Sequence, residues 1–153
     1  MNYWMFKSEP NVFSIDHLQE QGSTVWDGIR NYQARIYLRS AQVGDLVFFY
    51  HSNCEITGVA GLCKVIESDV VDPTQFDPAS DYFDEKSTPE SPRWQTVKVA
   101  FVEKFSRIIT LEELKRDFAA EELVVVRKGN RLSVMPVSTE AAEKLLRIAR
   151  TVG

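Results

Sequence analysis

The sequence predicts an α+β domain in which short strands form a small, closed or nearly closed barrel with helices around it. Two observations predict this. Aromatic and β-branched runs of strand length recur along the chain, each bounded by a turn signal. Between them lie segments with helical spacing and their own caps. With 153 residues, 44% of them hydrophobic and 26% charged, the chain is read as one domain, residues 1–153, large enough to bury a core.

The elements follow in order. Asn2 to Lys7 is aromatic-rich and reads as a first strand, and Pro10 biases Glu9 to extended geometry. Ser14 caps a short helix through Leu18 to Gln21, which Gly22 stops. Asp27-Gly28 marks a turn. From Asn31, Tyr32, Arg35 and Arg39 fall at helical spacing, with Ile36 and Leu38 available for the core. "VGDLVFFYHS" is a turn followed by an apolar run, a strand covered on both faces. "TGVAGLCKVIES" is the next strand, its glycines suggesting bulges. In "WQTVKVAFVEKF", Val97, Val99 and Phe101 point one way, Lys98 and Lys104 the other. Thr110 with Glu113 is a capping box that opens a helix. "LVVVRKGNRLSVMPVS" reads as two short strands around Gly129-Asn130. Ser138 caps a last helix with an apolar stripe of Ala141, Leu145, Ile148 and Ala149, and with i,i+4 pairs Glu140–Lys144 and Glu143–Arg147. Residues 69–94 hold four of the six prolines and many acids, yet also Phe76, Tyr82, Phe83 and Trp94. So much aromatic surface predicts a long loop packed on the body.

Composition excludes several function classes. No apolar run approaches the roughly 20 residues of a membrane helix. The first residues are strand-like, without a basic stretch before an apolar one, which predicts a cytoplasmic or nuclear protein. Cys54 and Cys63 are expected to be free thiols, and no His lies at zinc-ligand spacing from them. No metal or cofactor is expected. A net charge of −4 argues against a non-specific nucleic-acid coat but permits a reader that grips one nucleotide.

Four polar clusters fall where strands stop: Lys7-Ser8-Glu9-Pro10, Trp26-Asp27-Gly28-Ile29-Arg30-Asn31, Tyr50-His51-Ser52-Asn53 and Arg131-Leu132-Ser133-Val134-Met135-Pro136. Asp27 and Asn53 have a simpler reading as turn formers, His51 as a satisfied core histidine, and Arg30, Arg35 and Arg39 as one solvated helix face. Taken together, they join hydrogen-bonding side chains to Phe6, Trp26 and Tyr50, with Trp94 from the loop, the mixture that a flat heteroaromatic ligand needs. Stacking contributes about 1–3 kcal/mol per base. Ser8, Glu9, Asn31 and Ser133 are suited to read a ring edge, and Lys7, Arg30 and Arg93 to meet phosphates. A flipped base would need little basic surface elsewhere.

The segments "YWMFKSEP", "WDGIRNYQARIYLR", "VGDLVFFYHSN", "FDPASDYFDEKSTPESPRW", "VEKFSRIITLEELK" and "RLSVMPVS" occur in order from Tyr3 to about Ile148, and together they resemble the EVE-domain family. The resemblance implies a PUA-like fold, a mixed β-barrel with flanking helices. It also implies a pocket for a modified base in DNA or RNA, modified cytosine in DNA being the first candidate. By motif, the implied lining is Lys7, Ser8, Glu9, Trp26, Gly28, Arg30, Asn31, Tyr50, His51, Ser52, Asn53, Trp94, Ser133 and Val134. The implied partner is modified nucleic acid and the implied action non-catalytic. Trp26→Ala is expected to abolish binding without unfolding the domain. Three other readings stay open: an enzyme on nucleotides using His51, Ser52 and Glu9, a sensor of a free modified nucleoside, and a scaffold docking through the acidic loop. Oligomeric state is not readable.

Overall fold

The computed structural model describes residues 1–151. Six strands, β1 (Tyr3–Ser8), β2 (Ser23–Val25), β3 (Leu46–His51), β4 (Gly58–Val71), β5 (Gln95–Thr110) and β6 (Val134–Val137), form one sheet in the order β2-β5-β4-β3-β1-β6. The β1–β3 pair is parallel and every other pair antiparallel. The expected α+β class with a mixed sheet is found. The barrel is not closed by strand pairing among the described residues, since β2 and β6 remain edges.

Alternation along the central strands builds a core on each face. Trp4, Phe6, Val47 and Phe49 point to one side, with Val97 and Val99, and meet α1 (Ile15–Gln21) and α2 (Tyr32–Ser40) through Ile15, Leu18, Ala34 and Leu38. Met5, Phe48 and Tyr50 point to the other, towards α3 (Leu111–Asp117) and α4 (Thr139–Arg150) through Leu114, Ala141 and Leu145. Both faces of β3 are therefore covered, as its continuous apolar run implies. The expected caps form: Ser14 accepts from the His17 amide, Asn31 from Ala34, Thr110 from Glu113 and Ser138 from Ala141. Gly61 sits at a register shift, and a β-carbon there would come within 2.5 Å of the Glu103 carbonyl oxygen, so β4 and β5 can approach only because this residue has none.

Four expectations are corrected. The first strand is shifted by one residue, Tyr3–Ser8 in place of Asn2 to Lys7. Ile36 is exposed, because α2 buries Ala34 and Leu38, four apart, and a residue midway between them turns outward. Only one strand forms in residues 123–137: Val124–Val126 is a 3-10 turn that buries Val125, and β6 follows. Lys144 does not pair with Glu140; its ammonium reaches the Asp117 carbonyl and lies 3.9 Å from Glu122. Among the described residues no ion pair joins Arg147 to Glu143.

Residues 69–94 pack on the body as expected. A 3-10 turn, Pro73–Phe76, starts with the Asp72 carboxylate capping Thr74. Gln75 is fully buried and binds the Asp72 and Trp94 carbonyls through its amide nitrogen, while its oxygen accepts from Ser87 and from the Arg93 and Trp94 amides.

Candidate nucleic-acid interface

Because β1 and β3 are parallel, their C-terminal ends lie side by side, and antiparallel β6 begins at that same end. Lys7 faces Tyr50 across the pair and Ser8 faces His51. The Lys7 amide donates to the Ser133 carbonyl at 2.8 Å, and the Ser52 amide to the Ser8 carbonyl at 3.0 Å. Val134 is paired with Phe6. The first, third and fourth predicted clusters are thus one rim. Glu9 and Asn53 close it from the loops, the Asn53 amide donating to the Glu9 carboxylate at 2.8 Å.

The second cluster joins this rim through Trp26. Its indole lies 5.3 Å from the Phe6 ring, 5.4 Å from Phe49 and 6.4 Å from Phe13, the last two edge-on. Phe13 in turn accepts the Ser8 hydroxyl on its carbonyl at 2.6 Å. Trp26 is 7% exposed and belongs to the core, so the expectation that alanine here spares the fold is corrected.

Strand alternation divides the set. Ser8, Trp26 and His51 lie on the α1/α2 face. Tyr50 lies on the opposite face, and the Lys7 ammonium stands 5.7 Å from its ring. Burial pushes the Lys7 pKa down and the Tyr50 phenol up. A lysine short of water and without an ion pair among the described residues would regain solvation from a phosphate.

Arg30, Asn31, Arg93 and Trp94 are already engaged. The Arg30 guanidinium contacts the Asp72 carboxylate at 3.0 Å and donates to Thr74 Oγ1 and the Tyr82 carbonyl. Arg93 lies 3.3 Å from the Asp84 carboxylate and donates to the Tyr32 hydroxyl. The indole N–H of Trp94 donates to the same Asp84 at 2.8 Å. That bond, more than the nearby guanidiniums, holds the Asp84 carboxyl below its usual range. The Trp94 ring centre lies 5.0 Å from the Arg30 guanidinium and 5.1 Å from that of Arg35, with Tyr32 at 5.4 Å. Little of its face remains for a base, and these groups weld the long loop to α2. The Asn31 oxygen is taken by the Ala34 amide.

Asp27, read from sequence as a turn former, stands next to Trp26 in the chain. Its carboxyl makes no side-chain hydrogen bond among the described residues and keeps an exposed edge beside Trp26. Desolvation raises its pKa first, the Asp72 charge adds to the rise, and Arg30 opposes it. Nothing in the dipeptide Asp27-Gly28 signals this, since Asp72 lies 45 residues on in the chain.

Gly28 has a structural duty. Its φ is +79°, its amide donates to Asp72 at 2.9 Å, and a β-carbon would stand 2.7 Å from the Tyr82 ring. Gly28→Ala is expected to destabilise by about 1–2 kcal/mol, lowering Tm by about 2–8 °C. An unchanged Tm would show that this turn relaxes freely.

Two cavities open elsewhere. One of about 480 Å3 lies between Tyr32, Phe83–Lys86 and Arg93. One of about 430 Å3 lies between Glu55–Thr57 on one side and Thr110, Leu111, Glu112 and Lys115 on the other. Apart from Arg93, neither draws on the predicted residues, and both have carboxylates in their walls. Among the described residues no cluster of His, Cys, Asp and Glu could hold a metal ion, and no helix is long and apolar enough to cross a membrane.

The mixed sheet with helices on both faces is that of a PUA-like domain. The chain belongs to the EVE family, whose domain profile matches residues 2–148. It is similar to a Pseudomonas syringae protein of known structure at 46% identity and TM-score 0.92, over 96% of this chain and 99% of that one. It is 38% identical to mouse thymocyte nuclear protein 1 over 98% of this chain and 74% of that protein. Human THYN1, solved in complex with DNA containing 5-methylcytosine, superposes with TM-score 0.91 at 36% identity, each chain covered in full.

Proposed function

We propose that this chain is a non-catalytic module that recognises a modified base in nucleic acid, modified cytosine in DNA before other choices, at the rim formed by β1, β3 and β6. Residues 1–153 would act as a single EVE module inside the cell. The observation that carries the reading is the likeness, over the whole chain, to human THYN1 in complex with methylcytosine DNA. The rim supports it, since aromatic side chains and polar groups meet there. In this reading Trp26 and Phe13 form the apolar wall. Ser8, Glu9, Asp27 and Ser133 read the base edge.

Arg30 and Arg93 are committed to Asp72 and Asp84, so phosphate contacts pass to Lys7 and to Lys128 and Arg131, exposed cations on the segment leading to Ser133. Against the enzyme reading, the buried His51 accepts the Ile15 amide proton on Nε2, and Glu9 is tied to Asn53, so neither serves Ser52 as a base.

Titration at one stated salt concentration tests this with methylated and unmethylated DNA and RNA oligonucleotides and with free nucleosides. The methylated DNA is expected to bind about 5- to 150-fold more tightly than its unmodified counterpart, the range that one methyl group supports. Lys7→Ala is expected to weaken all oligonucleotides alike and to reduce the salt slope by about one. Equal affinity for every oligonucleotide would discard the assignment; tight binding of a free nucleoside with none of DNA would favour a sensor.

A further inference from the structure

The chain has two histidines, and both hold the same helix end. His51 Nε2 accepts the Ile15 amide proton at 3.1 Å, from the buried end of β3. His17 Nδ1 accepts the Ser14 amide proton at 2.8 Å, while its own amide donates back to the Ser14 hydroxyl at 3.2 Å. A ring nitrogen that accepts a proton bond cannot also carry a proton. The two N–H groups at the start of α1 are therefore satisfied only while both imidazoles are neutral at those nitrogens, and a buried amide left without an acceptor costs about 1–3 kcal/mol.

We propose that His51 forms a proton-operated latch, in which protonation at Nε2 releases the Ile15 amide and loosens the segment from Glu9 to Ile15 that borders Trp26. That segment carries Phe13, which meets the indole edge-on and holds the Ser8 hydroxyl.

The groups facing His51 set the direction of its titration. Burial lowers its pKa most. Asp16 on α1 favours the charged ring and Lys104 on β5 disfavours it, and these two charges pair at 2.7 Å. Its β1 neighbour is Ser8, with the Lys7 ammonium over Tyr50, and its β4 neighbour is Gly58; the Phe49 ring stands edge-on to it at 5.6 Å. His17 is exposed, with Asp16 and Glu20 on its own helix and Phe13 at 5.9 Å. With the closed-state pKa of His51 depressed, the contribution of its bond is complete above about pH 6.5 and is lost as pH falls below that value. A lysine or arginine could not replace this device, because neither accepts a hydrogen bond.

Amide hydrogen exchange from pH 8 to 5, expressed as protection factors so that intrinsic exchange cancels, tests the latch without any nucleic acid. In the unaltered chain the protection of Ile15 is expected to fall up to about tenfold by pH 5.5 while the Phe48 amide in β3 holds. His51→Gln, whose amide oxygen accepts at the Nε2 position without titrating, is expected to remove the Ile15 response. His17→Asn, whose side-chain oxygen accepts at the Nδ1 position, is expected to leave the Ile15 response in place. Protection of Ile15 independent of pH, a uniform fall across the sheet, a response that persists in His51→Gln or one that is lost in His17→Asn would overturn the proposal. Should His51→Gln fail to fold, the unaltered chain and the exposed-site His17→Asn variant decide it. The effect on ligand binding rests on the proposed function, whereas the exchange result stands or falls apart from it.

Discussion

Trp26→Ala is expected to destabilise the fold by about 3–5 kcal/mol, a drop in Tm of about 6–20 °C. The indole is 7% exposed and fills the space between the Phe6, Phe13 and Phe49 rings, so alanine leaves a void where three aromatic partners lose contact at once. Domains of this size have total stabilities of about 5–15 kcal/mol, so the variant loses a large part of its margin. Trp26→Phe keeps a ring against Phe6 and is expected to lose a minor fraction of that amount. Denaturant titration of the two variants checks both statements. A Trp26→Ala variant with an unchanged midpoint would mean that the indole is a surface group and not a core one. Loss of ligand binding in that variant is therefore no proof of a stacking role unless its fold is shown intact, and the phenylalanine variant is the better probe.

Arg30→Ala is expected to cost about 3–5 kcal/mol as well, for an electrostatic reason. The Asp72 side chain is 2% exposed and Arg30 is the cation that compensates it, while Asp72 also accepts from the Gly28 amide and caps the Pro73–Phe76 turn. Without the guanidinium a carboxylate stays buried without a countercharge, and the Tyr82 carbonyl loses its donor too. Arg30→Lys is expected to recover part of the loss, because an ammonium restores charge but not the planar set of donors that reaches Asp72, Thr74 and the Ile29 and Tyr82 carbonyls. Limited proteolysis of residues 77–91 alongside denaturant midpoints is the appropriate measurement, since the pair anchors that loop. Equal cleavage rates in the unaltered chain and in Arg30→Ala would show that the loop is held without the Arg30–Asp72 pair.

What was legible from the sequence was what neighbours in the chain decide. Ser14, Asn31, Thr110 and Ser138 cap their helices because a cap needs a side-chain oxygen within three residues of an amide. The apolar run of β3 reveals its burial on both faces for the same reason. Distant pairing was not legible. β2 has three half-buried residues and exists because β5 supplies Lys98 to Ala100 as partners. Val124–Val126 has strand composition, but no neighbouring strand takes it up and it curls into a 3-10 turn. At the rim, the clusters were visible as polar stops to strands, and the parallel pairing of β1 with β3 explains why three of them coincide. Which arginine is free was hidden, because Arg30 and Asp72 are 42 residues apart and charge alone does not say whether a guanidinium has found a buried carboxylate. Trp94 looked like a base cap for the same reason; its guanidinium neighbours on α2 and before it are known only once the loop is folded down.

The most direct test is to map the chemical shifts of backbone amides on adding a DNA oligonucleotide that carries one 5-methylcytosine. The rim assignment predicts that the largest changes fall on Lys7, Ser8, Asp27, Ser52 and Ser133. Changes confined to Tyr32, Phe83 and Arg93, around the cavity under the long loop, would contradict it.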